Sequence, residues 1–452
     1  MNRLFGALKG DRVRARILRG TGFTIFRTLG GSAMRLASNL ILTRLLFPEA
    51  FGLMALVQIF IFGLQMFSEV GIHTMLIQSK REDRAFLDTL WTLQILRGII
   101  LWLLCCILAY PAAWIYEQPM LVQLLPASGL MFVITGFKTT RAPEAQRKIN
   151  LERVILIQLT AQFFGLILMA LFAWWLQSVW ALVIGSLLTS LISITGMHFL
   201  LPGQNNKLRW DRQVVVETLN YGIFLFLSSV ATFFNQMGAQ MVLGAYIPLG
   251  LFGIFHIAKQ LGSFPQQLAQ VVARNVIFPL YRMKAPASSG ENQQNVFTAR
   301  RLVAVSAIFL TAIVALIGDW LIILLFSDEY EAAGPMLVLM ALALLPVLAF
   351  VGANEALPGS GDSKRFFYLT LALSVVQMVL LVVFVPIWGV IAAILIPPIA
   401  QLIAYPYQAY LTNKHKTWDA TGECGLIILG LLCVAVITWI KWDALSQLPL
   451  SN

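Results

Sequence analysis

The chain has 452 residues, of which 59% are hydrophobic and only 12% charged, with a mean hydropathy of +0.79. A water-soluble chain carries about 25% charged residues, so this composition excludes a soluble globular protein and predicts an integral membrane one. The net charge of +11 does not point to nucleic acid, because the basic residues stand in short loops between apolar runs.

Residues 1–20 form a basic cytoplasmic segment, either an amphipathic helix on the inner leaflet or an orientation signal alone. No small-residue cleavage site follows it, so a cleavable signal peptide is not expected. Apolar spans are expected near 21–46, 51–78, 87–113, 120–140, 151–175, 178–200, 217–245, 250–280, 302–326, 334–357, 366–386, 388–411 and 425–440. Several exceed the roughly 20 residues a helix needs to cross a bilayer, so their ends should project. The last is short, and its sequence leaves open whether it crosses. With residue 1 inside, the N-terminus and the inward connections hold 25 of the 32 Lys and Arg residues. The outward turns hold none and carry Glu49, Glu117, Asp328, Glu329 and Glu331 instead. That asymmetry sets a cytoplasmic N-terminus, and Trp114, Trp174, Trp175, Trp180 and Trp388 beside the outward turns fit an interfacial aromatic belt.

The first two spans, joined by Phe47-Pro48-Glu49-Ala50, carry polar groups where lipid disfavours them. Arg27, Arg35 and Arg44 lie in the first span; Gln58, Gln65, Glu69 and His73 lie in the second. The latter four are spaced 7, 4 and 4 apart, which puts them on one helical stripe and reads as the wall of a hydrophilic cavity. A charged side chain near the bilayer centre costs at least about 2.5–3.5 kcal/mol, so each needs a partner or water. Arg35 is expected near the midplane without a matching acid and suits an anionic, phosphate-bearing ligand, which guanidinium binds in bidentate fashion. Arg44 is expected to snorkel to the outer interface. Glu69 and Arg97 fall at similar depth and form a candidate structural pair.

Setting Phe51-Gly52 on Phe252-Gly253, an offset of 201, places Gln58, Gln65, Glu69 and His73 on Lys259, Gln266, Gln270 and Arg274. Before the turn, Arg35 pairs with Asn235. The implied architecture is all-α: two six-helix lobes with pseudo-two-fold symmetry, 21–206 and 207–413, and a C-terminal part, 414–452, with one hydrophobic helix. The candidate cationic cavity is Arg27, Arg35, Lys259 and Arg274. Its polar wall is Gln58, Gln65, Glu69, His73, Asn235, Gln240, Gln266 and Gln270. Pro265 should bend its helix. The four spans between 302 and 411, poor in charge apart from Asp319 and Glu355, read as scaffold. Cys105, Cys106, Cys424 and Cys433 lack metal or redox spacing, and no phosphate-cradling loop or metal-ligand cluster stands out. Neither enzyme chemistry nor a cofactor or metal is expected.

Leu42 to Leu53 (LTRLLFPEAFGL), Glu69-Val-Gly-Ile72 with Ile77-Gln78, Trp91 with Leu96-Arg97-Gly98, Asn235 with Leu243-Gly244, and Val276 to Arg282 (VIFPLYR) carry a resemblance. The chain resembles the polysaccharide-transporter branch of the multidrug/oligosaccharidyl-lipid/polysaccharide (MOP) exporter superfamily, near the colanic-acid and succinoglycan exporters. The resemblance implies two lobes around a cationic cavity open alternately to each side of the bacterial inner membrane. It also implies a flippase for polyprenyl-pyrophosphate-linked oligosaccharide repeat units. The implied partners are that anionic lipid-linked substrate and the bilayer, with a polysaccharide polymerase and glycosyltransferases as candidate protein partners. Where relatives often carry an acid in the seventh helix, this chain has Ala239, which speaks against cation coupling there. Competing readings are a lipid II flippase, a cation-coupled multidrug exporter of the same superfamily, and a non-transporting scaffold of a polysaccharide synthase.

Overall fold

The computed structural model describes residues 30–68, 72, 75–76, 83–147, 152–283, 289–446 and 448, and among these it is all helix and turn, without a strand. In chain order the helices are α1 (30–42), α2 (Pro48–Phe67), α3 (Arg84–Ile115), α4 (Leu121–Gly136), α5 (Arg141–Arg147), α6 (Glu152–Leu176), α7 (Trp180–Leu200) and α8 (Arg212–Leu243). There follow α9 (Leu249–Gly262), α10 (Phe264–Val272), a π-helical turn (Ala273–Ile277), α11 (Phe278–Met283), α12 (Gly290–Leu325) and α13 (Ala333–Leu344). Two 3-10 turns (Pro346–Phe350 and Ala353–Glu355) then lead through α14 (Ala356–Gly359) to α15 (Ser363–Lys414), α16 (Ala420–Ile440) and α17 (Trp442–Ser446).

Local chemistry sets the helix starts. Asp83, Ser289, Asp362 and Asp419 each accept a backbone N–H of the first turn, from Phe86, Asn292, Arg365 and Gly422, all at 3.1 Å. Such caps satisfy donors that have no intrahelical partner. Helix α3 has 32 residues and α12 has 36, about 48 and 54 Å at the helical rise, so both overrun the apolar layer. Their outer faces are bare Leu, Ile and Val, and Trp114, Trp174, Trp175, Trp320, Trp388 and Trp439 stand exposed. In a membrane chain those are the lipid-facing surfaces and the interfacial belt.

The chain divides into two compact units, Met1–Leu46 with Val57–Val230, and Phe47–Leu56 with Ala231–Asn452. In the first, α3 pairs with α4 and α6 with α7. Gln94 of α3 gives its amide to the carbonyls of Thr135, Gly136 and Lys138, and so caps the end of α4. In the second, the start of α2 crosses the start of α9 with backbones touching. A Cβ on Gly52 would strike the Leu249 carbonyl, and one on Gly253 would strike the Pro48 carbonyl. The contact is reciprocal under the 201-residue offset, and only glycine permits such an approach.

Two interruptions mark the second unit. The helix expected through 250–280 does not merely bend at Pro265: it breaks at Ser263, with Pro265 in the first turn of α10, and later winds into the π turn. The α13 to α14 span is bent by 42°, and the backbone of its 346–350 turn is buried throughout. Irregular backbone survives at membrane depth only when protein or a wet cavity covers it. Helix α15 is in fact two spans folded at Gly389, whose φ of 52° and ψ of −124° suit a residue without Cβ. Helix α16 runs alongside α12. Glu423 pairs with Arg300 and Asp419 with Arg301 at one end, and Lys441 Nζ meets Asp319 Oδ1 at 2.8 Å at the other.

Candidate functional site

Lys259 is the eleventh residue of α9, about 16 Å along a helix that begins at the turn 244–248, which puts its ammonium near mid-bilayer. Its Nζ donates to Gln240 Oε1 at 2.9 Å and reaches the Gln236 carbonyl at 3.5 Å. The same Gln240 places its amide nitrogen 3.1 Å from His256 Nδ1. Gln236 and Gln240 are one turn apart on α8, as His256 and Lys259 are on α9, so the helical period alone brings the four together. No carboxylate pairs with Lys259 among the described residues. Uncharged dipoles steady the cation without cancelling its charge, which leaves it free to take an anion.

Arg274 lies elsewhere. It is 15 residues beyond Lys259, roughly 20 Å at the helical rise. It stands in the π turn, a feature common at functional sites. Its side chain is 75% exposed, with Nε 3.8 Å from Glu355 Oε1, a loose contact rather than a locked pair. Glu355 belongs to the 3-10 turn 353–355 of the bent span, so that part of the chain supplies more than scaffold. The signal was legible: Asn354-Glu355 is a polar dipeptide inside an apolar run, and Asn354 Oδ1 accepts from Gln408 at 3.0 Å. Gln377, also missed, is buried on α15 and donates to the carbonyls of Phe234 and Asn235 at 3.4 and 3.0 Å. It holds the stretch of α8 just before Gln236.

Of the expected wall residues in the second unit, Gln240 is buried, Asn235 and Gln266 are half-buried, and Gln270 is exposed. In the first unit, Gln58 and Gln65 are exposed on α2. Arg35 donates from Nη2 to Ser32 Oγ at 2.8 Å, and Gln162 of α6 donates to the adjacent Gly31 carbonyl at 3.2 Å. No carboxylate pairs with Arg35 among the described residues. Arg27, Glu69 and His73 lie outside the described residues, so the Glu69–Arg97 pair does too. Arg97 itself donates to Ser68 Oγ at 2.9 Å and to the Gln65 carbonyl at 3.2 Å, where a cation suits the end of α2. Among the described residues no group of three His, Cys, Asp or Glu side chains could hold a metal ion.

Solved structures share this architecture. The lipid II flippase MurJ in an inward closed conformation superposes with a TM-score of 0.73 at 14% identity, over 93% of this chain and 92% of that one. An inward-facing multidrug resistance MATE family transporter of the MOP superfamily follows with a TM-score of 0.61 at 14% identity, over 90% and 95%. The protein is thus a multi-span membrane protein with the fold of these transporters. The family described as "Polysaccharide biosynthesis protein" matches residues 41–335, and the chain belongs to it. Its relatives include the succinoglycan biosynthesis transport protein ExoT of Rhizobium meliloti, 20% identical over 78% of this chain and 72% of that protein. Others are the teichuronic acid biosynthesis protein TuaB of Bacillus subtilis, 22% identical over 81% and 79%, and the lipopolysaccharide biosynthesis protein WzxC of Escherichia coli, 21% identical over 75% and 69%.

Proposed function

We propose that the protein is a flippase that moves polyprenyl-pyrophosphate-linked oligosaccharide repeat units across the bacterial inner membrane by alternating access, with its N-terminus in the cytoplasm. Membership of a polysaccharide biosynthesis family and a relative named as a succinoglycan transport protein support the substrate class. The observation that carries the reading is Lys259, an ammonium in the middle of an apolar helix whose partners are amides rather than acids. A diphosphate supplies the missing negative charge, and Gln236 and Gln240 suit its oxygens or a sugar hydroxyl. Arg274, held only loosely by Glu355, is a second phosphate contact at another depth of the same unit. Arg35 is the first unit's own. A role as passive scaffold leaves these cations without a purpose, since each costs stability in lipid. The same reading takes 21–206 and 207–413 as two repeats, supported by the reciprocal Gly52 and Gly253 contact. It places the product where a polymerase acts.

The test is reconstitution in liposomes with a fluorescent polyprenyl-pyrophosphate sugar, scored by leaflet transfer with and without ion gradients. Lys259→Met keeps the bulk and removes the charge. Charge-assisted hydrogen bonds are worth about 1.5–3 kcal/mol, so apparent affinity should fall roughly ten- to hundredfold while the protein stays folded. Lys259→Arg should retain part of the activity. Undiminished transfer by Lys259→Met refutes the assignment.

A further inference from the structure

The stretch 201–211, between α7 and α8, is fastened down along most of its length. Arg141, buried at the start of α5, donates from Nη1 to the carbonyls of His198 and Leu201 at 2.6 and 2.9 Å. It also donates from Nε to the Gln204 carbonyl at 3.2 Å and from Nη2 to Asn205 Oδ1 at 2.5 Å. Asn206 Oδ1 accepts from the Thr140 N–H at 3.2 Å, and Asn206 Nδ2 donates to Thr140 Oγ1 at 2.9 Å. The N–H groups of Lys207 and Arg209 are pinned to Asp88 Oδ1 and Thr92 Oγ1 of α3, at 3.1 and 3.0 Å. A buried arginine and a buried aspartate are spent on fixing a surface connection.

What this fixed stretch presents is unusual for a surface in water. Leu208 and Trp210 are 73% and 58% exposed, and Phe199 and Leu200, at the adjoining end of α7, are 83% and 64% exposed. Interleaved with them are Lys207, Arg209 and Arg212, all exposed. None of the three pairs with a carboxylate among the described residues. Asp211 is turned back onto the Gln213 N–H at 2.9 Å. Alternating apolar and cationic side chains at the mouth of a membrane helix match a bilayer interface, with apolar groups entering the acyl boundary and cations meeting phosphate. Charge complementarity decides the occupant: three uncompensated cations call for anionic headgroups.

We propose that residues 207–212 form a binding site for anionic phospholipid, in which Lys207, Arg209 and Arg212 hold headgroup phosphates and Leu208 and Trp210 enter the acyl boundary. Arg141 and Asp88 are the positioning residues. The site is independent of the transport reading. The experiment uses the full chain in nanodiscs of phosphatidylcholine with or without phosphatidylglycerol, either lipid brominated near the top of its acyl chains. The difference between the wild type and Trp210→Phe isolates the Trp210 emission. Brominated phosphatidylglycerol should quench that emission more strongly than brominated phosphatidylcholine. Native mass spectrometry should find phosphatidylglycerol enriched on the protein. Each cation near an anionic surface contributes about fivefold, so K207Q/R209Q/R212Q, on exposed positions that folding does not need, should lower the enrichment more than tenfold. Equal quenching by the two lipids, quenching unchanged by Trp210→Phe, or wild-type enrichment in the triple variant each overturns the proposal. Trp210 emission shielded from both lipids points to a protein partner instead and overturns it as well.

Discussion

Changing Glu423 to alanine removes one half of an ion pair closed off from water on both sides, since the Arg300 and Glu423 side chains are each 4% exposed. Arg300 loses its carboxylate and keeps the Thr417 carbonyl, 2.6 Å from Nη1, and Tyr405 loses the carboxylate its hydroxyl donates to at 3.0 Å. Stranding one member of a buried pair costs about 3–5 kcal/mol, because the orphaned charge has no water to return to. The neighbouring Arg301 has two hydrogen bonds to Asp419, at 2.7 and 2.6 Å, yet its side chain is 41% exposed. Asp419, 4% exposed, keeps the Gly422 N–H and stays within reach of a glutamine amide, while solvent screens the Arg301 side, so Arg301→Gln should cost less, about 1 kcal/mol. Arg300→Met with Glu423→Leu removes both charges and fills the space, and should recover most of the loss. The assay is thermal denaturation of the purified protein in detergent, analysed as a double-mutant cycle. A Glu423→Ala protein as stable as Arg301→Gln, or a double variant whose loss equals the sum of the singles, refutes the claim that this pair fastens α16.

Three further outcomes are expected. Gly389→Ala should destabilise by about 1–3 kcal/mol from backbone strain alone, because no atom lies within 4 Å of an added Cβ; Gly425→Ala in α16, equally unobstructed, should instead gain about 0.5–1 kcal/mol, and thermal melts compare the two. From Arg300 to Asp319 is 19 residues, about 28 Å and the thickness of the apolar layer, and α16 is tied to both ends. A topology reporter inserted after Ser446 should therefore read the opposite side of the membrane from one inserted after Lys416. Burial works to raise the Asp362 carboxyl, but hydrogen bonds from the Arg365 N–H, the His415 ring and the Arg365 guanidinium outweigh it and hold it below its usual value. The stability gap between the wild type and Asp362→Asn should thus be full at neutral pH and close as pH falls below about 3.9, through the depressed value, in pH-dependent melts.

Most helices were legible because lipid writes directly into composition: long apolar runs separated alternately by basic loops and by acid-bearing turns leave few other arrangements. Helix α3 was expected over 87–113 and occupies Arg84–Ile115, and the pair of spans at 366–386 and 388–411 is α15 folded at Gly389. The Lys259 cluster was half legible. The 3.6-residue period put His256 beside Lys259, but nothing local announced that Gln240 of another helix would take both. Glu355 was set aside as scaffold because its partner, Arg274, is some 80 residues away in sequence.

Composition, then, settled by itself that this is a polytopic helical membrane protein and which residues are out of place in lipid. Those are one-dimensional properties, fixed by the cost of moving each group from water to hydrocarbon. Only the tertiary structure decided the partners: that Lys259 rests on amides, that Arg274 meets Glu355, and that α16 is bound at both ends to α12. An ion pair or an amide clamp between distant helices depends on packing that no local pattern encodes, because a side chain's charge is written in the sequence and its neighbour across the fold is not.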